Sequence, residues 1–168
     1  MSVEGVGDAG VEPDRLEYAV TAQIALAQPS GSAPARLVAT GTRIAFPDWH
    51  ATGWPSAGAR HDKLGGRAVT TEFYRAGSST IGYSIVSGAP LRWGTGGRNV
   101  VRAHAEYRVV SAGGARIVAW VQDGHTCVIA SRSASSEALL SLAVEQDSTS
   151  TVSAPMGWAA PQQVTARA

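Results

Sequence analysis

Residues 105–131 read AEYRVVSAGGARIVAWVQDGHTCVIAS, and this stretch carries the strongest structural signal in the chain. It contains three apolar-rich runs of seven residues, namely Ala105–Ser111, Arg116–Gln122 and His125–Ser131. The runs are separated by Gly-Gly at 113–114 and by Asp-Gly at 123–124, and both pairs tolerate the positive φ angles of tight hairpin turns. The stretch therefore predicts three consecutive antiparallel strands.

The strand pattern extends from this stretch toward the N-terminus. Arg67–Arg75 is rich in Val, Thr, Phe and Tyr and is predicted as a strand. A turn at 76–79 leads into a return strand over Thr80–Ser87, and the glycine-rich segment 88–97 predicts a loop. Val100–Val110 adds one or two further strands.

The periodicity changes after the last strand. Leu139, Leu142 and Ala143 recur at helical spacing, which predicts a short amphipathic helix over 134–144. Together these elements predict the α+β class, with an antiparallel β-meander of about five to seven strands and one C-terminal helix packed on it.

Bulky apolar residues are concentrated in the middle of the chain. Four of the five Trp lie between residues 37 and 144, whereas the N-terminal part is acidic and the C-terminal part is rich in Ser, Thr, Ala and Pro. This composition predicts a disordered or linker segment at 1–36, a single domain at 37–145 and a flexible tail at 146–168. Within the first segment, residues 18–27 could also form a short Ala-rich helix.

Charge and hydropathy exclude some classes of partner. The formal net charge is +1, and residues 36–132 carry 12 Lys or Arg against five acids, but these cations form no dense cluster. The sequence therefore predicts no nucleic-acid partner. No apolar run is long enough to span a bilayer, and the residues before Tyr18–Ala27 are acidic where a signal peptide requires positive charge. We expect neither a transmembrane segment nor a signal peptide.

Catalytic and metal-binding patterns are equally weak. The single cysteine, Cys127, excludes an internal disulfide and a multi-cysteine zinc site. Cys127 and His125 share one face of a predicted strand, where a nucleophile or a metal ligand pair is conceivable but a buried structural thiol is favoured. No carboxylate pair is singled out for hydrolysis. The sequence predicts no catalytic residues, no metal site and no cofactor.

Aromatic residues offer the most informative candidates for a site. Phe46-Pro47-Asp48-Trp49 and Trp54-Pro55 form a Pro- and Trp-rich segment ahead of the first strong strand. Because the core contains few large aliphatic residues, the favoured interpretation is a lid that closes one end of the core and buries the Trp rings. The alternative is an exposed recognition patch. For that alternative the candidate ligand or partner contacts are Trp49, Trp54, Trp93 and Tyr83.

Several ordered motifs resemble one known family. They are F-P-x-W at 46–49, G-W-x-x-x-G-x-R-x-D at 53–62, GGRAVTT at 65–71, IGYSIVSGAPL at 81–91, Trp120 followed by GHTCVI at 124–129, and LLSLA at 139–143. Together they resemble the extracytoplasmic C-terminal region of membrane-bound anti-sigma factors from high-GC bacteria. The resemblance covers about a hundred residues, from Ile44 to Ala143.

The resemblance implies a non-enzymatic sensory or regulatory domain. In that family a cytoplasmic helical domain binds an extracytoplasmic-function sigma factor, and a single transmembrane helix connects it to the outer region. The sequence carries neither the H-x-x-x-C-x-x-C zinc motif of that cytoplasmic part nor the membrane span, so no sigma-contacting residue is carried over. The implied location is extracytoplasmic, and the implied partner is a membrane-anchored signalling protein or a small ligand.

Two alternatives from other classes stay open. One is an exported module that binds a small molecule or peptide in a pocket lined by the four aromatic residues named above. The other is a hydrolase that uses His125 and Cys127.

Overall fold

The computed structural model describes residues 21–93 and 96–152, with side chains as far as residue 147. Within these residues, seven strands form one antiparallel sheet and a long helix follows the last strand. The elements are α1 (helical residues 21–25), a 3₁₀ turn (His50–Thr52), β1 (Ser56–Leu64), β2 (Arg67–Ala76), β3 (Ser79–Val86), β4 (Arg98–Arg102), β5 (Ala105–Ala112), β6 (Ala115–Gln122), β7 (His125–Ser131) and α2 (Ser136–Val152).

The strand order in the sheet is β1-β2-β3-β7-β6-β5-β4. It consists of two meanders, β1–β3 and β4–β7, which are joined where β3 pairs with β7. The α+β class, the antiparallel sheet and the C-terminal helix are confirmed. The predicted strands β2, β3, β5, β6 and β7 lie within one residue of their expected ends.

The connection from β3 to β4 has to cross the sheet, because β4 lies at the far edge. Its course is held by Leu91, which is buried and whose backbone N–H donates to Thr126 Oγ1 on β7 at 2.8 Å. Further along, Trp93 packs against the apolar residues of β6 and β7. Residues 88–93 of the predicted loop therefore begin a crossover that covers part of one sheet face.

The two faces of the sheet have different coverings. We call the face packed against α2 and the segment 37–54 the helix face; its register residues include Tyr83, Trp120 and Cys127. The other face, which we call the crossover face, contacts α1 and the crossover. Both faces of the central strands are buried, which explains the nearly continuous apolar character of β7.

Small residues bring α1 close to the crossover face. Ala22 and Ala25 pack there against Ala119, Val128 and neighbouring residues of β6 and β7. A Cβ atom on Gly82 of β3 would overlap the backbone carbonyl of Ala25, so only glycine fits under the helix at this position.

Strand β1 is not delimited by the sequence pattern, whose first strong strand begins at residue 67. Its residues Arg60 and Asp62 form an ion pair at 2.8 Å, and a bulge lies between Ser56 and Gly58. Charged residues and a glycine bulge obscure the apolar alternation of an edge strand. The outer edge of β1 is partly covered, because the backbone of Gly31 bridges to Ala59.

The folded unit is wider than the predicted 37–145. At its N-terminal end α1 and the 30–31 bridge pack on the sheet, although this region was expected to be a linker. At its C-terminal end α2 continues to Val152, and the buried side chain of Gln146 donates from Nε2 to Ala45 O at 3.1 Å. Residues 1–20 and 153–168 of the predicted terminal segments lie outside the described residues.

In the described part of the chain, no helix is long and apolar enough to cross a membrane.

The hairpin turns at 113–114 and 123–124 are confirmed, and another tight turn connects β4 to β5. There Ala103 and His104 both adopt positive φ angles, 48° and 66°. Ala rarely adopts this conformation and His adopts it less readily than Gly, so the turn carries little sequence signal and Ala103 is strained.

Replacing this turn by Ala103→Asn with His104→Gly should raise the free energy of unfolding by about 1–2 kcal/mol, because Asn and Gly adopt positive φ at lower cost. The measurement is urea denaturation followed by circular dichroism. As a matched comparison, Asp123→Ala at the Asp-Gly turn should lower stability. An Asn-Gly variant no more stable than the wild type would contradict the turn conformation.

Candidate functional site

The four predicted aromatic contacts do not converge on one pocket. Trp49 and Tyr83 are buried in the core of the helix face, and Trp54 is half-buried against the same core. Trp93 is half-buried on the crossover face, on the other side of the sheet. The interpretation of the Pro- and Trp-rich segment as a lid agrees with the position of Trp49.

Trp49 begins a continuous row of aromatic rings across the helix face. Its ring lies 4.6 Å from that of Tyr74 and 5.9 Å from that of Tyr83, between ring centroids. Tyr83 continues to Trp120 at 5.4 Å, and Trp120 to Tyr107 at 5.9 Å. We call Trp49, Tyr74, Tyr83, Trp120 and Tyr107 the aromatic row. Its rings fill the core and are not available as a binding surface.

Two polar atoms of the row are buried without a well-formed hydrogen bond in the part of the chain that the structure describes. They are Trp49 Nε1 and the hydroxyl oxygen of Tyr83. Burial raises the pKa of Tyr83 well above its ordinary value, and the adjacent Cys127 raises it further while Gln146 opposes the shift. This hydroxyl therefore stays protonated, and the Tyr83 side chain contributes to the packing of the core.

Cys127 is fully buried on the helix face of β7, the central strand of the sheet. Its Sγ contacts Gln122 Oε1 at 4.0 Å, and burial raises the pKa of the thiol to about 12. His125 shares this face but its Nδ1 is bonded to Gly88 O at 3.0 Å. The prediction of a buried thiol is confirmed, and the environment suppresses the thiolate that a nucleophile needs.

Because the chain has one cysteine, thiol chemistry reports on this site alone. Native protein at neutral pH should react with a chromogenic disulfide reagent far more slowly than protein unfolded in urea. Cys127→Ser should cost about 1–3 kcal/mol by burying a hydroxyl with poor partners. Cys127→Ala, which adds no hydroxyl, should cost less. Native labelling as fast as unfolded labelling would contradict the burial of the thiol.

Glu72 is a buried carboxylic acid on the helix face of β2. Burial raises its pKa, the hydroxyls of Ser56 and Tyr74 oppose the shift, and the nearby carboxylate of Asp48 adds to it. Tyr74 itself donates to Pro47 O at 2.9 Å, which ties the lid to β2. No carboxylate pair was predicted, because Asp48 and Glu72 are far apart in the sequence and only the lid brings them together.

The raised pKa of Glu72 predicts a pH-dependent stability. The folded protein binds this proton more tightly than the unfolded chain, so its stabilising contribution is complete at low pH and is lost as the pH rises through the folded-state pKa. Glu72→Gln should flatten this decline in the free energy of unfolding between acidic and neutral pH. The measurement is urea denaturation across that pH range. Glu106→Gln, at an exposed glutamate, is the control and should keep the wild-type slope. If the free energy of unfolding changed equally with pH in the wild type, Glu72→Gln and Glu106→Gln, the raised pKa of Glu72 would be contradicted.

A polar cleft lies at the end of the sheet where β6 turns into β7. It has a volume of about 660 Å³ and is lined by Gly41, Thr42, Arg43, Asp123 and His125. Arg43 and Asp123 are exposed, and His125 is half-buried. The cleft thus combines a guanidinium, a carboxylate and an imidazole from two segments that are distant in sequence.

The residues that form the cleft are held by local structure. On one wall, Thr42 Oγ1 donates to Ala39 O at 2.9 Å and accepts from the Ile44 N–H at 3.0 Å, which closes a tight loop. On the other wall, Asp123 has a φ of 48° and occupies the first position of the β6–β7 turn. Asp123 and His125 were noted in the sequence as turn and strand residues, but nothing marked Arg43, because its proximity depends on the fold.

No family model matches this chain, and no curated protein or solved structure matches it. Among the described residues, no group of three or more His, Cys, Asp or Glu side chains is placed to hold a metal ion. The polar cleft brings together charged groups from distant parts of the sequence, and we base the functional argument on it.

Proposed function

We propose that this chain is a sensory or regulatory domain related to the outer part of anti-sigma factors, and that it acts by binding a ligand in the polar cleft. The observation that carries the proposal is the cleft itself, a volume of about 660 Å³ with Arg43, Asp123 and His125 on its walls. This size suits a small ligand, and its polar lining suits a hydrophilic one.

Several residues that carry the family resemblance have structural roles in the domain. Trp49 of the F-P-x-W motif packs in the aromatic row, and Arg60 and Asp62 of the R-x-D motif pair on β1. These residues build the domain. Of the cleft residues, His125 lies within the GHTCVI motif, whereas Arg43 and Asp123 lie outside the quoted motifs, so the charged contacts to a ligand can differ between domains of one architecture.

The proposal includes an extracytoplasmic location and a membrane-anchored signalling partner, as the resemblance implies. A pocket lined by the four aromatic residues is not favoured. Trp49 and Tyr83 are core residues, and Trp93 lies on the other face of the sheet.

The experiment replaces both cleft charges in the chromosomal gene, by Arg43→Gln with Asp123→Asn, and measures transcripts that depend on extracytoplasmic-function sigma factors. Asn tolerates the positive φ at position 123, so the turn is retained. We expect the output of one such regulon to change by roughly fivefold or more, because loss of the ligand holds the regulator in one state.

The matched control is Arg116→Gln, at an exposed arginine on β6 that does not line the cleft. It should leave every regulon unchanged. If the double variant accumulates normally and no sigma-dependent regulon responds, the proposed function is wrong.

A further inference from the structure

We propose that the polar cleft recognises a small zwitterion, namely a short peptide with both termini free or a free amino acid. The inference rests on the proposed function in so far as that function makes the cleft the ligand site. Its basis is the presence of opposite charges on the two walls of the cleft.

Arg43 and Asp123 line the same cleft without neutralising each other. Neither side chain has a hydrogen bond or an ion pair within the described parts of the chain. A guanidinium presents a planar fork of N–H donors that matches a carboxylate in bidentate fashion. A carboxylate in turn accepts hydrogen bonds from an ammonium group.

His125 lines the same cleft as Asp123. Its Nδ1 lies 3.0 Å from Gly88 O, and a carbonyl oxygen can only accept, so Nδ1 carries the proton. In the neutral ring Nε2 is then left as an acceptor. An ammonium group has three donors and can use the carboxylate of Asp123 together with this nitrogen.

The opposite charges also select against other ligands. An inorganic anion attracted to Arg43 meets the carboxylate of Asp123, and a metal cation attracted to Asp123 meets the guanidinium. A ligand that carries both signs satisfies both walls, whereas a ligand with one charge leaves a repulsive contact. The volume of about 660 Å³ has room for a free amino acid or a short peptide.

The backbone of both walls is held in place before a ligand binds. Gly41, at a φ of 74°, brings its loop against the end of β3, where an added Cβ would lie 3.1 Å from Ser87 Cβ. Together with the Thr42 hydrogen bonds and the β6–β7 turn, this packing reduces the entropy lost on binding.

The test is a titration of ¹⁵N-labelled protein, followed by amide chemical shifts, with four probes. They are L-alanyl-L-alanine, its N-acetyl derivative without the ammonium, its C-terminal amide without the carboxylate, and L-alanine. We expect the free dipeptide to shift the amides of 41–43 and 123–125, and each blocked derivative to bind at least about tenfold more weakly. L-Alanine distinguishes a free amino acid from a peptide as the preferred source of the zwitterion.

Two variants test which residue binds the carboxylate of the probe and which binds its ammonium group. Arg43→Gln should lose the preference for the free carboxylate, and Asp123→Asn the preference for the free ammonium. Arg116→Gln, outside the cleft, should bind all probes as the wild type does.

The proposal is overturned if the N-acetyl dipeptide binds as tightly as the free one, which would make the cleft an anion site. It is also overturned if neither the dipeptide nor L-alanine shifts the cleft amides at about 10 mM, a range that detects millimolar affinity. In either case, a sigma regulon that still responds to the cleft variants would keep the proposed function and reject only this ligand class. Binding of the dipeptide without any regulon response would reject the function and keep the ligand.

Discussion

The rest of the structure depends on the row of aromatic rings that crosses the helix face of the sheet. Tyr74, Tyr83, Trp120 and Tyr107 come from four different strands, and Trp49 comes from the lid. The chain is poor in large aliphatic residues, so these rings supply much of the apolar area that the fold buries. They add side-chain contacts between the two meanders to the backbone pairing of β3 with β7.

The contact between Tyr83 and Trp120 shows how the row joins the meanders. Their strands, β3 and β6, are not neighbours, because β7 lies between them. On β7, Ile129 lies opposite Tyr83 and Cys127 lies opposite Trp120, and both side chains are fully buried. Cys127 thus packs beside the two rings as a small hydrophobic residue.

Filling the core in this way leaves the ends of the sheet for function. The central strands are covered on both faces, and the buried polar groups of Glu72, Tyr83 and Gln146 are held by packing and by the lid. The accessible charged groups Arg43 and Asp123 occur in turns at one end. A rigid sheet with variable turn residues is the usual arrangement for positioning a binding site.

The sequence by itself determined the elements whose signals are local. Alternating residues and glycine-containing turns specify β5, β6 and β7, and a helical repeat specifies α2, because each signal depends on neighbours a few residues away. The turn at Ala103–His104 escaped prediction because its residues adopt positive φ against their preference, under the constraint of pairing between β4 and β5. The burial of Cys127 followed from its place in a central strand.

Only the tertiary structure decided how these elements combine. The pairing of β3 with β7 is one of several possible pairings between strand edges that look alike in the sequence. The position of Trp93 and Trp49 on opposite faces of the sheet also depends on how the connecting segments pack. The cleft also depends on the tertiary structure, since Arg43 and Asp123 are 80 positions apart in the sequence and line one cleft only when the loop at 41–43 packs at the end of the sheet. Local propensity carries no information about such contacts, because their free energy comes from apolar surface that is buried only when the whole sheet has closed.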